Sequence, residues 1–374
     1  MKNFAKDHEE IQLNIIRDLC RIPAPSFGER RRAEYCKAYF ESIGAEGVYI
    51  DEINNVIFPL NCKGSREITV FAAHTDTVFS DTEFYPEFRE DEDRIYCPGV
   101  GDDTACVAAL MLMAKYFIEN KISPKGGILF VCNSCEEGLG NLAGIKQLFK
   151  DYEGRVKQFV TIDAGIGDVV DMAVGSHRYE VVAETEGGHS FSKFGNKNAI
   201  AVLADVISEI YKIKVPEREN STTTYNVGII EGGTSINTIA QSAKMLCEYR
   251  SNNRECLEMM KGEFERIFAA ANTPETKLTV TLVGNRPCKG DVDPAAETAL
   301  IDAYRQAVKT VVGEDINLRM GSTDANIPMS MGIPAVDVGS RNAAGAHRRE
   351  EYLEKNSLVP GLEIMIRMAL ELTK

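Results

Sequence analysis

The stretch Ile68-Thr-Val-Phe-Ala-Ala-His-Thr-Asp76 is a short apolar run that ends in a histidine and an aspartate. A run of this length that is rich in β-branched and aromatic residues is typical of a buried β-strand. Residues 104–119 are apolar on nearly all sides of a helix, and residues 127–132 form a second short apolar run. This order of strand, helix and strand predicts a mostly parallel sheet.

Further segments on both sides of this unit continue the alternation. The predicted elements are helices at 8–21, 29–43, 142–149, 295–311 and 358–372, and strands at 158–162 and 335–338. Parallel sheets are buried on both faces because their crossover connections are helices. We therefore predict an α/β fold with helices on both faces of the sheet.

The pattern changes between residues 177 and 285. Strands are predicted there at 178–185, 222–230, 243–250 and 278–283, and helices at 199–213 and 254–271. The resulting order, βαββαβ, is that of a ferredoxin-like α+β unit. The chain of 374 residues is long enough for two domains. We predict a discontinuous domain of residues 1–176 and 286–374, into which a domain of residues 177–285 is inserted.

The charge balance limits the partners of the chain. It carries 42 basic and 56 acidic residues, a net charge of −14, which disfavours nucleic acid and anionic membrane surfaces because both are polyanions. No run of 18 apolar residues occurs, and the first residues lack the apolar core of a signal peptide. We therefore expect a cytoplasmic protein that binds no membrane and no nucleic acid.

Ten cysteines lie mostly inside apolar runs, where free cysteine behaves as a small hydrophobic residue. We expect reduced thiols, as is usual in the cytoplasm. Cys132 and Cys135 have the spacing of a redox or zinc pair, but no second pair accompanies them at zinc-finger spacing. A redox role remains an alternative for this pair.

Five short polar segments interrupt the apolar runs of the larger domain, and four of them follow a predicted strand. They are His74-Thr-Asp76, Asp102-Asp103, Glu136-Glu137, Asp163 and His347. Open α/β sheets bind ligands at the carboxyl ends of their strands. Two imidazoles and several carboxylates are suitable ligands for a pair of divalent cations such as zinc. The sequence therefore predicts a metal site at this edge of the sheet.

The spacing within these segments indicates individual roles. His74 would be a ligand oriented by Asp76, and Asp102 would bridge two cations. Glu137 would be a ligand, and Glu136 would be the general base. Each segment alone also has a simpler interpretation. The first and third would be polar turns at strand ends, one aspartate of the second and Asp163 would be helix N-caps, and His347 would be a surface residue.

The inserted domain contributes three further candidates. His189 lies in the loop Glu186-Gly-Gly-His-Ser-Phe191, and Asn237 lies in a glycine-rich turn. Arg250 ends a predicted strand, where its guanidinium could bind a substrate carboxylate or form an interdomain salt bridge.

Taken in order, these motifs resemble the M20 family of dinuclear zinc peptidases, and within it the peptidase T branch of tripeptide aminopeptidases. The motifs are Arg21-Ile-Pro-Ala-Pro-Ser26, Ala73-His-Thr-Asp76, Gly101-Asp-Asp103, Cys135-Glu-Glu-Gly138, Thr161-Ile-Asp-Ala-Gly165, Gly187-Gly-His-Ser190, Gly232-Gly-Thr-Ser-Ile-Asn237, Gly321-Ser-Thr-Asp-Ala-Asn326 and His347. Together they span nearly the whole chain.

The resemblance implies a ligand set for two zinc ions, with Co²⁺ or Mn²⁺ as possible substitutes. His74 and Asp163 would bind one ion, Glu137 and His347 the other, and Asp102 both. Asp76 would orient His74, and Glu136 would be the base. In the inserted lid and dimerisation domain, His189 would polarise the scissile carbonyl, often in the partner subunit of a homodimer, while Arg250 and Asn237 would hold the substrate.

The chain departs from the family pattern at Thr104 and Cys106, where many relatives have Lys and Gly, and at Ala346, where peptidase T sequences tend to have Asn. These departures leave the expected ligands intact and bear on the substrate. The leading expectation is a peptidase acting on short peptides from the N-terminus. An amidohydrolase that deacylates N-acyl amino acids and a non-catalytic metal-binding protein remain alternatives.

Overall fold

The computed structural model describes residues 1–79 and 88–374. The chain divides into two compact units. Unit 1 comprises Met1–Ala173 and Gly290–Lys374, and unit 2 comprises Val174–Lys289. The sequence-based bounds of the inserted domain, 177 and 285, fall three and four residues inside those of unit 2.

The described residues form helices and strands in the following order. The helices are α1 (Lys2–Asp7), α2 (Glu9–Cys20), α3 (Arg30–Ser42), α4 (Ala105–Glu119), α5 (Ala143–Asp151), α6 (Ala199–Ile210), α7 (Arg254–Ala271), α8 (Pro294–Val311), α9 (Asn326–Ser330) and α10 (Leu358–Leu372). The strands are β1 (Tyr49–Ile50), β2 (Val56–Leu60), β3 (Ile68–His74), β4 (Arg89–Glu90), β5 (Arg94–Tyr96), β6 (Ile128–Asn133), β7 (Val156–Gly165), β8 (Asp168–Ala173), β9 (Gly175–Thr185), β10 (Gly188–His189), β11 (Thr223–Gly232), β12 (Thr238–Ile239), β13 (Ser242–Ser251), β14 (Thr276–Arg286), β15 (Asn317–Gly321), β16 (Ala335–Arg341), β17 (Ala343–Ala344) and β18 (Tyr352–Glu354).

Unit 1 is built on an eight-stranded sheet with the order β1-β2-β6-β3-β7-β16-β8-β15. The central strands β6, β3, β7 and β16 are parallel to one another, whereas β1 and β2 pair antiparallel at one side. Near the other side, β8 pairs antiparallel with β16 and parallel with β15. The predicted α/β fold with a mostly parallel sheet is confirmed.

Alternate side chains of the central strands belong to two different apolar cores. Phe71 and Phe130 pack with the helices α1 to α4, α8 and α10 on one face of the sheet. Val70 and Leu129 pack with α5 and α9 on the opposite face. Because successive residues of a strand point to opposite faces, β3 and β6 are buried on both sides. This burial explains why both strands read as continuous apolar runs.

Unit 2 has an antiparallel sheet with the order β11-β13-β9-β14. Apolar residues of α6 and α7 pack together with the strands in one core. In chain order, the long elements are β9, α6, β11, β13, α7 and β14, which is the predicted ferredoxin-like βαββαβ order. The short strands β10 and β12 form a separate two-stranded pair.

Several short elements were not predicted from the sequence. Strand β2 includes Pro59, which lacks an amide hydrogen and is disfavoured inside a sheet. Strands β17, β18, β5 and β4 form a second small sheet of unit 1. All ten cysteines lie in the described residues, where they are buried and free. Within residues 1–79 and 88–374, no helix combines the length and the apolarity needed to cross a membrane.

Candidate metal centre

Two groups of potential ligands lie at the carboxyl-terminal side of the central strands. The first consists of His74, which ends β3, Asp163 in β7, and Asp102 in the turn before α4. His74 Nε2 lies 2.9 Å from Asp102 Oδ1 and 3.8 Å from Asp163 Oδ2. The side chain of His74 is fully buried. The fixed ends of two neighbouring parallel strands thus bring one nitrogen and two carboxylate oxygens together.

The second group consists of His347, Glu137 and again Asp102. His347 Nε2 lies 3.1 Å from Asp102 Oδ2 and 3.3 Å from Glu137 Oε1. His347 has a left-handed backbone with a φ of 64° in the loop after β17. Asp102 therefore presents one carboxylate oxygen to each group, which is the geometry that a bridging ligand requires.

Asp76 lies behind His74, on the side of the other ring nitrogen. His74 Nδ1 is 3.1 Å from the backbone oxygen of Asp76 and 3.4 Å from its Oδ1. The same carboxylate accepts hydrogen bonds from the backbone N–H groups of Glu136 and Glu137, at 3.0 Å each, and from the Ser26 hydroxyl at 2.6 Å. Asp76 thus faces the imidazole of His74 and also holds the turn that carries both glutamates.

The electrostatics of these groups favour bound positive charge. Burial of His74 opposes protonation, but hydrogen bonds to Asp102 and Asp76 outweigh burial and raise its pKa well above the ordinary value. Hydrogen bonds to Asp102 and then Glu137 raise the pKa of His347 to about 10. Burial, followed by the charges of Asp102 and Asp103, raises the pKa of Asp163 well above its ordinary value.

The donor set also fits divalent cations. Imidazole nitrogen and carboxylate oxygen are common zinc ligands, and buried carboxylates are costly unless a charge or hydrogen bond compensates them. Glu137 Oε1 is buried and accepts no well-aligned hydrogen bond within the described residues, although His347 Nε2 lies nearby. A cation between these groups would neutralise the clustered carboxylates.

Glu136 is also buried, and its carboxylate lies close to His74 and Glu137. Asp103, its sequence counterpart among the paired aspartates, does not act as a ligand. Its Oδ2 accepts the backbone N–H of His74 at 3.2 Å. Asp103 therefore fixes the end of β3.

Two residues that the sequence did not single out hold the turn that carries Asp102. The buried carboxylate of Glu351 accepts the backbone N–H groups of Gly99, Gly101 and Asp102 at 2.6, 2.7 and 2.9 Å. Arg341 donates from Nε to the oxygen of Gly101 and from Nη2 to the backbone oxygen of Asp163. No local pattern marks these residues, because their partners are distant in the chain.

Thr104 and Cys106, the departures from the family pattern, are both fully buried. The hydroxyl of Thr104 accepts a hydrogen bond from Arg32 Nη1 at 3.2 Å. These side chains face the protein interior, so any effect on substrate choice would be indirect. Ala346, by contrast, is exposed beside His347.

In unit 2, the candidates His189 and Asn237 are neighbours. The pair β10 and β12 aligns His189 with Thr238, and the backbone N–H of Ser190 donates to the oxygen of Asn237 at 2.9 Å. The exposed ring of His189 accepts the backbone N–H of Phe191 at Nδ1, at 3.2 Å. This hydrogen bond requires a neutral Nδ1, so the ring proton belongs on Nε2, which can act as a donor.

Arg250 is engaged within unit 2. Its Nε and Nη2 donate to the two carboxylate oxygens of Glu248 at 2.8 and 3.0 Å. Residues two apart in a strand lie on the same face, which makes this bidentate pair possible. A substrate carboxylate would therefore have to share this guanidinium with Glu248.

An α/β sheet with two such ligand groups at the carboxyl ends of its central strands is the architecture of a metallohydrolase. Residues 70–371 match Peptidase family M20/M25/M40, and the chain belongs to this family. It is therefore a hydrolase that acts on amide bonds, and the alternative of a non-catalytic metal-binding protein is not retained.

Comparison with individual proteins gives two different activities. A succinyl-diaminopimelate desuccinylase from Corynebacterium glutamicum is 24% identical over 345 residues, which cover 89% of each chain. The aminopeptidase PepT from Bacillus cereus is 22% identical, with a TM-score of 0.72 over 98% of this chain and 99% of the other. A dinuclear metal-binding M20 peptidase from Bacillus subtilis is 16% identical, with a TM-score of 0.66 over 98% and 99%. At these identities, the two structures share the fold with this protein.

Proposed function

We propose that this protein is a two-zinc peptidase that hydrolyses short peptides from the N-terminus. The observation that carries the proposal is the position of Asp102, whose two oxygens lie close to two different histidines. A single carboxylate shared in this way is what a site for two metal ions about 3.5 to 4 Å apart needs.

In this proposal, His74 and Asp163 hold one zinc ion, and Glu137 and His347 hold the other, while Asp102 binds both. Co²⁺ or Mn²⁺ could take the same places. When bound, the two cations would polarise the amide carbonyl and lower the pKa of an attacking water molecule. Asp76 fixes the ring of His74, as carboxylates behind metal-bound histidines commonly do.

Glu136 is the proposed proton carrier. A carboxylate in this position can take a proton from the attacking water and deliver it to the leaving amine. Its backbone N–H is bound to Asp76, which also faces His74. The base is thereby attached to the same carboxylate that orients a metal ligand.

His189 is the proposed donor to the carbonyl oxygen. Because Nδ1 accepts the N–H of Phe191, the proton on Nε2 is available to stabilise negative charge on that oxygen. By resemblance to the family, we propose a homodimer in which this histidine serves the site of the partner subunit. Asn237, beside His189, and Arg250 would hold the substrate.

A second candidate is an amidohydrolase that removes an acyl group from an N-acyl amino acid. The desuccinylase from Corynebacterium glutamicum, which aligns over most of the chain, favours it. The chemistry at the metal centre would be the same, because both reactions hydrolyse an amide. The two candidates differ in whether the substrate carries a free α-amino group or an acylated one.

A matched substrate panel separates the candidates. Tripeptides with a free N-terminus, the same tripeptides N-acetylated, and N-acetyl and N-succinyl amino acids are each incubated with metal-loaded protein. Release of the first residue from the free tripeptides supports the peptidase. Cleavage confined to the acylated compounds would overturn it in favour of the amidohydrolase.

A further inference from the structure

Glu351 is a buried carboxylate whose hydrogen bonds all go to one turn. It is 1% exposed. Its Oε2 accepts the N–H of Gly99, and its Oε1 accepts those of Gly101 and Asp102. Three backbone donors aimed at one carboxylate define the position of that turn tightly, because charge-assisted hydrogen bonds are short and strong.

The turn is also closely packed on the side of Gly101. A Cβ atom on this glycine would lie 2.4 Å from Ala343 Cβ and 2.9 Å from Glu351 Oε1. The oxygen of Gly101 accepts a hydrogen bond from Arg341 Nε at 2.8 Å. The backbone just before Asp102 thus has little freedom to move while Glu351 and Arg341 hold it.

Glu351 belongs to the same short loop as His347. Within this loop, the N–H of Arg348 donates to the oxygen of Gly345, and the N–H of Glu351 donates to the oxygen of Arg348. Asp102 and His347, whose side chains lie 3.1 Å apart, are therefore connected through Glu351. By contrast, His74 and Asp163 lie in strands of the central sheet.

We propose that Glu351 is a positioning residue that sets the affinity of the metal site formed by Asp102, Glu137 and His347. The proposal rests on the two-metal function proposed above. Without the three hydrogen bonds, Asp102 Oδ2 and His347 Nε2 would lose their fixed separation. Outer residues that orient metal ligands typically contribute 10- to 100-fold to metal affinity.

The test is a titration of metal-free protein with Co²⁺, followed by calorimetry and by the visible absorption of the bound ion. In Glu351→Gln, a donor NH₂ replaces one acceptor oxygen opposite the backbone N–H groups. We expect one of the two equivalents to bind about 10-fold more weakly or worse, while the other keeps its affinity. Glu350→Gln, at the exposed neighbouring position, is the matched control and should bind as the wild type does.

The outcomes separate this proposal from the proposed function. If the wild type binds two equivalents and Glu351→Gln binds both with unchanged affinity, the role of Glu351 is refuted. A lower melting temperature of the metal-free variant with unchanged Co²⁺ binding would also refute it. If the wild type itself binds fewer than two equivalents, the two-metal function fails. Should Glu351→Gln not fold, Glu351→Asp, with acceptors drawn back by one methylene, is titrated instead with the same criteria.

Discussion

Asp102 Oδ2 lies 3.1 Å from His347 Nε2, and the other oxygen of this carboxylate lies 2.9 Å from His74 Nε2. These histidines come from distant parts of the chain, one from the end of β3 and the other from the loop after β17. A single side chain therefore joins two groups of potential ligands. The two-metal account depends on this relationship.

The first prediction concerns Asp102→Asn, which keeps the size of the side chain but replaces one oxygen by an NH₂ group. We expect the variant to hold at most one metal ion and to lose about 100-fold or more in activity, since even outer residues contribute 10- to 100-fold. Metal content and kcat/KM are measured together. Asp7→Asn, at an exposed position, is the control. Two bound ions with undiminished activity in Asp102→Asn would show that this carboxylate is not a bridge.

The second prediction concerns the proton carrier. Glu136→Gln should keep both metal ions and lose about 100- to 10,000-fold in kcat, which is the usual contribution of general acid–base catalysis. The amide retains the shape of the side chain but cannot take the proton. Glu153→Gln, at an exposed position, should keep full activity. A metal-loaded Glu136→Gln that turns over at the wild-type rate would remove Glu136 from the mechanism.

The third prediction tests whether His189 acts in the partner subunit. Glu136→Gln and His189→Ala are each expected to be nearly inactive alone. After the two proteins are mixed and the subunits are allowed to exchange, a mixed dimer contains one site with an intact Glu136 and a partner's intact His189. Activity should then return. If subunits exchange but activity stays absent, His189 acts within its own chain. Ser192→Ala, in the same exposed loop, serves as the control for His189→Ala.

The fourth prediction concerns stability and pH at a site away from the metals. Hydrogen bonds from Arg17, with a further contribution from Lys355, lower the pKa of Glu90 from 4.5 to about 2. A carboxylate with a lowered pKa stabilises the fold above its unfolded-state value, and this contribution is lost as the pH falls from about 4.5 towards 2.

Glu90→Gln should therefore lower the free energy of unfolding by about 1 kcal/mol at neutral pH, which is the scale for partly exposed ion pairs. The difference from the wild type should shrink as the pH falls below about 4.5. Denaturant unfolding at a series of pH values measures it. Glu92→Gln, which is exposed, should match the wild type throughout. A constant difference at every pH would mean that the charge of Glu90 is not its cause.

The sequence predicted those parts of the candidate site that follow strands. His74 and Asp163 could be placed because each follows an apolar run that forms a central strand. The ferredoxin-like order of unit 2 could be predicted because its strands and helices have clear periodicity. Strand β2 was missed because it is short and contains Pro59.

The residues that hold the ligands in place could not be predicted. Glu351 binds Gly99, which lies 252 residues earlier in the chain, and no local pattern distinguishes it from Glu350. The second function of Asp76, as acceptor for the turn of Glu136 and Glu137, likewise depends on contacts about 60 residues apart. The pairing of Arg250 with Glu248 is different, because alternation along a strand places both on one face.

The number of metal ions bound per chain tests the central claim most directly. Metal-free wild-type protein is titrated with Zn²⁺, and the bound metal is determined by elemental analysis after free metal has been removed. The account predicts two ions per chain, and loss of amide hydrolysis when both are removed. One ion per chain at saturation, or full activity in the metal-free protein, would contradict it.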